Sequence, residues 1–106
     1  MTRVRFLLTP DGRLRGFLLG GHSGADVCGR DIVCAAISSA AQMAANTVTE
    51  VCGCRAFARE KDGYLFFSVL TADLGCCQTV LRGLQLHLTA LREQYPAHIL
   101  IETTEV

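Results

Sequence analysis

Net charge is the first thing this chain lacks. Ten Lys and Arg offset ten Asp and Glu across 106 residues. Domains that hold nucleic acid through bulk charge are strongly basic, so that class is disfavoured and no direct nucleic-acid partner is expected. Long apolar runs are also missing. None reaches the roughly 18 residues a membrane span needs, and no membrane partner is expected. Met1-Thr2-Arg3-Val4-Arg5 leads directly into an alternating pattern. It has no apolar signal region before a small-residue cleavage site, so the expected location is the cytoplasm. The glycines are not followed by Gly-Lys-Ser/Thr, so there is no Walker-type phosphate loop. Cys52-x-Cys54 and Cys76-Cys77 do not have the Cys-x-x-Cys spacing of a zinc knuckle. No metal or other cofactor is expected. No solenoid-type repeat is present.

What is there begins with a hydrophobic share of 50%. That is enough for a core without staples, and the length predicts one domain over 1–106. Without a secretory signal, six cysteines read as reduced thiols. Four of them, at 52, 54, 76 and 77, read as small hydrophobes in the core or at element ends.

The periodicities predict a ββαββαβ order. Residues 3–9 and 13–19 alternate around Pro10-Asp11-Gly12 and form a hairpin. A three-residue loop sets Thr9 opposite Arg13. This register puts Arg3, Arg5, Arg13 and Arg15 on one face, with Leu7, Phe17 and Leu19 among them. Val4, Phe6, Leu8, Leu14 and Leu18 share the other face. The arginine face reads either as solvated surface or as a contact for an acidic partner. Residues 32–51 repeat apolar positions at helical spacing, with alanines that keep the helix thin. Thr47, Val48, Thr49 and Val51 weaken it, and Gly53 is the stop. Residues 54–60 and 64–71 pair around Lys61-Asp62-Gly63. Phe57, Leu65, Phe67 and Val69 share one face, and both faces are apolar, as in mid-sheet or interface strands. Residues 73–95 form the second helix, ended by Pro96. Residues 98–103 form the last strand. The fold class is α+β, one sheet of about five strands with two helices. The leftover apolar faces point to a dimer.

The chemistry concentrates in residues 20–38. Four glycines fall in eleven residues, and His22 sits among them. Asp31 suits the N-cap of the following helix. Cys34 then falls at about N3, where free N–H groups and the helix dipole favour a thiolate. A histidine brought back by the loop supplies a base for that nucleophile. Taken alone, a cysteine near a helix start is more often packed than catalytic. Ser38 lies one turn beyond Cys34, either near the thiol or against another element. Asp31 as a carboxylate opposes the thiolate and favours an imidazolium at His22. His87 and His98 read as surface or half-buried polar groups. Cys28 reads as an incidental loop thiol, or as a partner for Cys34 under oxidation.

Gly21-His22, a short loop, and Gly29-x-Asp31-Ile32-Val33-Cys34-Ala35-Ala36-Ile37-Ser38 resemble the signature of the bacterial ribosomal-processing cysteine proteases. Length, element order and Tyr95-Pro96 before the last strand extend the likeness over nearly the whole chain. The resemblance implies a Cys34–His22 pair, beside which Asp31 and Ser38, from their places on the same helix start, read as supporting residues. It also implies a homodimer and, as substrate, the N-terminal extension of large-subunit ribosomal protein twenty-seven, cut after an aromatic residue. Gly21, Ser23, Gly24 and Gly29 then belong to the loop that receives the peptide. The family pattern has Ala where this chain has Ser23, a conservative departure. Two other classes remain in view. One is a non-catalytic ribosome-associated protein that binds through the arginine face. The other is a thiol-redox or metal-handling protein.

Overall fold

Pairing order in the sheet decides where every later residue sits. The structure, a computed structural model, describes residues 1–21 and 32–106. Its elements are β1 (Thr2–Leu8), β2 (Leu14–Gly20), α1 (Ile32–Asn46), β3 (Ala56–Lys61), β4 (Tyr64–Val69), α2 (Leu74–Gln94) and β5 (Ile99–Glu105). The strands form one mixed sheet in the order β3-β4-β2-β1-β5. Only the β1–β5 pairing is parallel. This is the expected α+β fold in the expected element order.

The first hairpin closes as its turn residues require. Thr9 N–H bonds the Arg13 carbonyl at 2.8 Å, and Gly12 takes the left-handed conformation at φ 84°. The Thr9 hydroxyl donates to Asp11. Then the register slips. Leu8 pairs with Leu14 but Leu7 pairs with Gly16, so Arg15 is an extra residue on β2. Beyond this bulge every β2 side chain changes face. Phe17 and Leu19 join Phe6 and Val4 in the core, while Leu18 pairs beside Arg5. The uninterrupted register expected from the sequence had these three the other way round.

The second hairpin differs by one residue as well. Asp62 and Gly63 both have positive φ, 53° and 80°, which makes a two-residue turn with Lys61 opposite Tyr64. Phe57 therefore pairs with Ser68, away from Phe67, and meets Phe66 edge-on at 6.1 Å. β3 is an edge strand with Phe57 55% exposed, which corrects the mid-sheet expectation for this strand.

Both helices lie on the face that carries Val4, Phe6, Phe17, Phe67 and Ile99. α1 contributes Val33, Ile37, Ala41 and Ala44, and α2 contributes Leu74, Leu81, Leu84 and Leu88. Phe17 stacks on Phe67 at 5.4 Å. After Asn46 the helix widens into a π-helical turn over Thr47–Val51, closed by Cys52 N–H on the Thr47 carbonyl at 2.9 Å. The Thr47 and Thr49 hydroxyls bond the Met43 and Ala45 carbonyls, drawing on acceptors the helix amides would use. Gly53, at φ 71°, ends the run. The continuous stretch Ile32–Val51 is, by length and composition, apolar enough to cross a membrane. That goes beyond the expectation from apolar runs, and here its buried stripe is built into the core.

Candidate active site

The site begins where β2 runs out. Gly20 lies against the Tyr64 ring, where an added Cβ would come within 2.3 Å of the ring edge. Gly21 follows at φ 88°, beside the aliphatic stem of Arg3. A side chain at Gly20 would collide, and one at Gly21 would be strained, so two glycines are needed for the chain to leave the sheet here. His22, Ser23, Gly24, Cys28, Gly29 and Asp31 lie outside the described residues.

The chain resumes at Ile32, the first residue of α1. Cys34 is the third, in the first helical turn as the spacing predicts. Its neighbours Val33 and Ile37 anchor that turn in the core. Cys34 itself is 0% exposed. Ser38 is half-buried one turn further on. The described residues thus bring together Cys34 and Ser38 on one helix, and hold Gly21 at the end of β2.

The arginines expected on one face alternate with core residues Val4, Phe6 and Leu14, and three of them have partners of their own. Arg13 turns to Asp11 at 3.1 Å. Arg15, the bulged residue, donates to the Val69 carbonyl at 3.1 Å and the Thr71 hydroxyl at 3.3 Å. Arg5 stays on the open sheet face, 3.6 Å from Glu102.

The other cysteines divide by depth. Cys54 and Cys77 are buried, whereas Cys52 and Cys76 are exposed. Burial pushes the Cys54 thiol up to about 11, and the nearby cysteines and Asp73 act in the same direction. Burial raises Cys77 too, partly offset by a hydrogen bond with Gln78. Among the described residues, no group of three or more His, Cys, Asp or Glu side chains is arranged to hold a metal ion.

Two contacts had no sequence signal. One is the Tyr64 ring over Gly20. The other is the Gln78 side chain, which clasps the Leu14 backbone on both sides. It accepts from Leu14 N–H at 2.9 Å and donates to the Leu14 carbonyl at 2.7 Å. A groove of about 650 Å³ between α1 and α2, lined by Met43, Val80 and His87 among others, does not include Cys34.

A helix N-terminal cysteine carried on an α+β sheet defines a candidate thiol enzyme. The family model described as cysteine protease Prp matches residues 1–100, and the chain belongs to this family of cysteine proteases. The ribosomal processing protease Prp from S. aureus, solved with a substrate peptide, has a similar structure. Its TM-score is 0.86 at 20% identity, over 98% of this chain and 100% of that one. The same protease with a covalently linked product peptide gives 0.84 at 20% identity, with the same coverage. SMU.848 from Streptococcus mutans gives 0.82 at 23% identity, over 100% of this chain and 99% of that one. At these identities the likeness is one of fold. No curated protein matches the chain.

Proposed function

We propose that this chain is a cysteine endopeptidase that removes the N-terminal extension of large-subunit ribosomal protein twenty-seven and so supports ribosome assembly. Cys34 is the nucleophile and His22 the base. The observation that carries this reading is the place of Cys34, in the first turn of α1 of a chain from a cysteine protease family. The S. aureus relative, solved with a substrate peptide and with a covalently linked product peptide, supports a peptide substrate here.

The chemistry follows from the residue types. His22 takes the Cys34 proton, and the sulfur attacks the scissile carbonyl. The oxyanion that forms calls for hydrogen-bond donors aimed at it. The C–N bond then breaks, His22 protonates the leaving amine, and water releases the acyl group. Asp31 is assigned a supporting role from its place in the sequence just before the helix, and Ser38 sits one turn beyond the nucleophile. Gly21, Ser23, Gly24 and Gly29 belong to the segment that receives the peptide. Cys34 is fully buried, so peptide binding has to uncover its sulfur before attack. The active species is a homodimer in the cytoplasm and uses no cofactor.

The test is mass spectrometry of a synthetic peptide spanning the extension, incubated with wild type and with Cys34→Ala. A single cut after an aromatic residue, made by wild type alone, is expected. Cutting by Cys34→Ala, or no cutting by a folded and reduced wild type, overturns the reading. Sedimentation should give twice the 11.5 kDa chain mass. The alternative binding role relied on an arginine patch. Charge reversal at Arg5 and Arg15 tests that role, since it should abolish ribosome association there while Cys34→Ala leaves function intact.

A further inference from the structure

Both helices cover one face of the sheet, and the described residues put no layer on the other. Strand register says what that open face carries. One row crosses the sheet as Glu102, Arg5, Leu18, Phe66 and Arg59. The row beside it holds Arg3 next to Gly20, then Tyr64 next to Lys61. Phe57 stands on the edge strand, edge-on to Phe66 at 6.1 Å. Among the described strands, four cations therefore share this face with one carboxylate, that of Glu102. Ten basic and ten acidic residues cancel over the whole chain. On this face they do not, so neutrality of the total hides a local positive field.

The charges and rings alternate in space. Arg59 and Lys61 stand on β3, Arg3 and Arg5 on β1, and β4 and β2 run between them. Three strand spacings, roughly 14 Å, separate the two basic columns. Rings lie between and beside them. The Tyr64 ring lies over bare Gly20 and stays 45% exposed, Phe57 is 55% exposed, and Phe66 is half-buried. A sheet face with two or three accessible rings stacks successive bases of a single strand, and flanking cations take its phosphates.

We propose that the open face of the sheet binds single-stranded RNA. Bases stack on Tyr64, Phe66 and Phe57, and phosphates pair with Arg3, Arg5, Arg59 and Lys61. A second copy is a poor occupant, because two such faces bring like charges together. An acidic peptide matches the charge but offers no array of planar rings. A duplex keeps its bases stacked on one another and away from the protein. Binding at this face rests on the register and the exposed rings. The choice of RNA over DNA rests on the ribosomal reading above, in which the substrate belongs to the ribosome. Cys34 belongs to α1, on the helical side of the sheet, so the face does not include the thiol.

The experiment is fluorescence anisotropy of a labelled, unstructured RNA of about 12 nucleotides, titrated with the whole reduced chain. Affinity should fall with salt at a log–log slope of roughly −3, from four phosphates at about 0.7 each. Phe57→Ala should weaken binding about five- to a hundredfold. Arg59→Ala and Lys61→Ala together, both exposed on the edge strand, should make the slope shallower by roughly 1.4. That double variant should cut the extension peptide as wild type does. Circular dichroism checks that each variant is folded, and the double variant decides alone if Phe57→Ala is not. The RNA should bind at least as tightly as DNA of the same sequence, and more tightly than its own duplex. The proposal is overturned if folded wild type leaves the RNA free, or if the double variant keeps the wild-type slope. Tighter binding of the DNA, or equal binding of the duplex, also overturns it. Binding of polyglutamate in place of RNA overturns it and makes the partner an acidic protein. RNA bound with the extension peptide uncut would sink the protease reading alone. The peptide cut with no RNA bound would sink this one alone.

Discussion

Cys52 and Cys54 are two residues apart and differ in nearly everything that governs a thiol. Cys52 is exposed, whereas Cys54 is 5% exposed, with its sulfur on a backbone carbonyl. Reaction with an alkylating agent needs both access and thiolate. A pKa near 11 in place of 9.0 leaves roughly a hundredfold less thiolate at neutral pH. Timed alkylation read by peptide mapping should label Cys52 and Cys76 first. Cys54 and Cys77 should follow only as the chain unfolds. Equal labelling of Cys52 and Cys54 in the folded chain would contradict the burial assigned to Cys54. The arginines teach a similar lesson. Arg3, Arg5, Arg13 and Arg15 look equivalent in an alternating string, yet each meets a different environment. Charge on a strand is legible in sequence, but the partner that neutralises it is not.

At the scale of elements, the two hairpins depend on small residues with specific work. Gly16 is the most demanding. A Cβ there would stand 1.8 Å from the Phe67 carbonyl oxygen, a backbone atom that cannot move without opening the β2–β4 pairing. Gly16→Ala should therefore cost about 3 kcal/mol or more. Gly12→Ala meets no neighbour and should cost far less, limited to the strain of its positive φ. Urea titrations of the two variants would compare them directly. Gln78 is the second element-level device. Its amide imitates a strand edge, pairing with both backbone groups of Leu14 just before the bulge. Gln78→Ala leaves those groups without their partner and should cost about 1–3 kcal/mol. The corresponding fall in Tm is about 4–8 °C per kcal/mol for a domain of this size. A Tm within a degree of wild type would show that the clasp contributes little.

At the scale of the molecule, two titrations bound the pH range of greatest stability. Asp73 is held below the usual carboxylate range, first by the Arg55 guanidinium and next by the Arg55 backbone N–H. A depressed folded pKa stabilises above the unfolded value and is lost as pH falls through the folded one. The stability gap between wild type and Asp73→Asn should thus be widest near neutrality and close in acid. Cys54 acts at the other end. Its folded pKa is raised, so its contribution is complete below about 9 and is lost as pH rises towards 11. Wild type should lose stability over that alkaline window, and Cys54→Ala should lose less. Chemical denaturation at stepped pH would read both effects.

The sequence by itself determined the element order, the two helices, the turn chemistry at Gly12 and Gly63, and the place of Cys34 in a helical first turn. These depend on periodicity and on local backbone preference, which act over a few residues. Tertiary structure alone decided which face Phe17, Leu19 and Phe57 occupy. It also decided which partner each of Arg5, Arg13 and Arg15 meets and which cysteines are buried. The reason is physical. A single bulge at Arg15, or a turn shorter by one residue at Asp62-Gly63, reverses the facing of the strand that carries it. Such a shift is selected by contacts from distant strands and helices, here the Phe17–Phe67 stack and the Gln78 clasp. The burial of Cys54 is likewise a product of assembly. Cys54 and Asp73 are far apart in sequence, and the Cys54 sulfur reaches the Asp73 carbonyl where Arg55 and Asp73 join the end of one helical run to the start of the other.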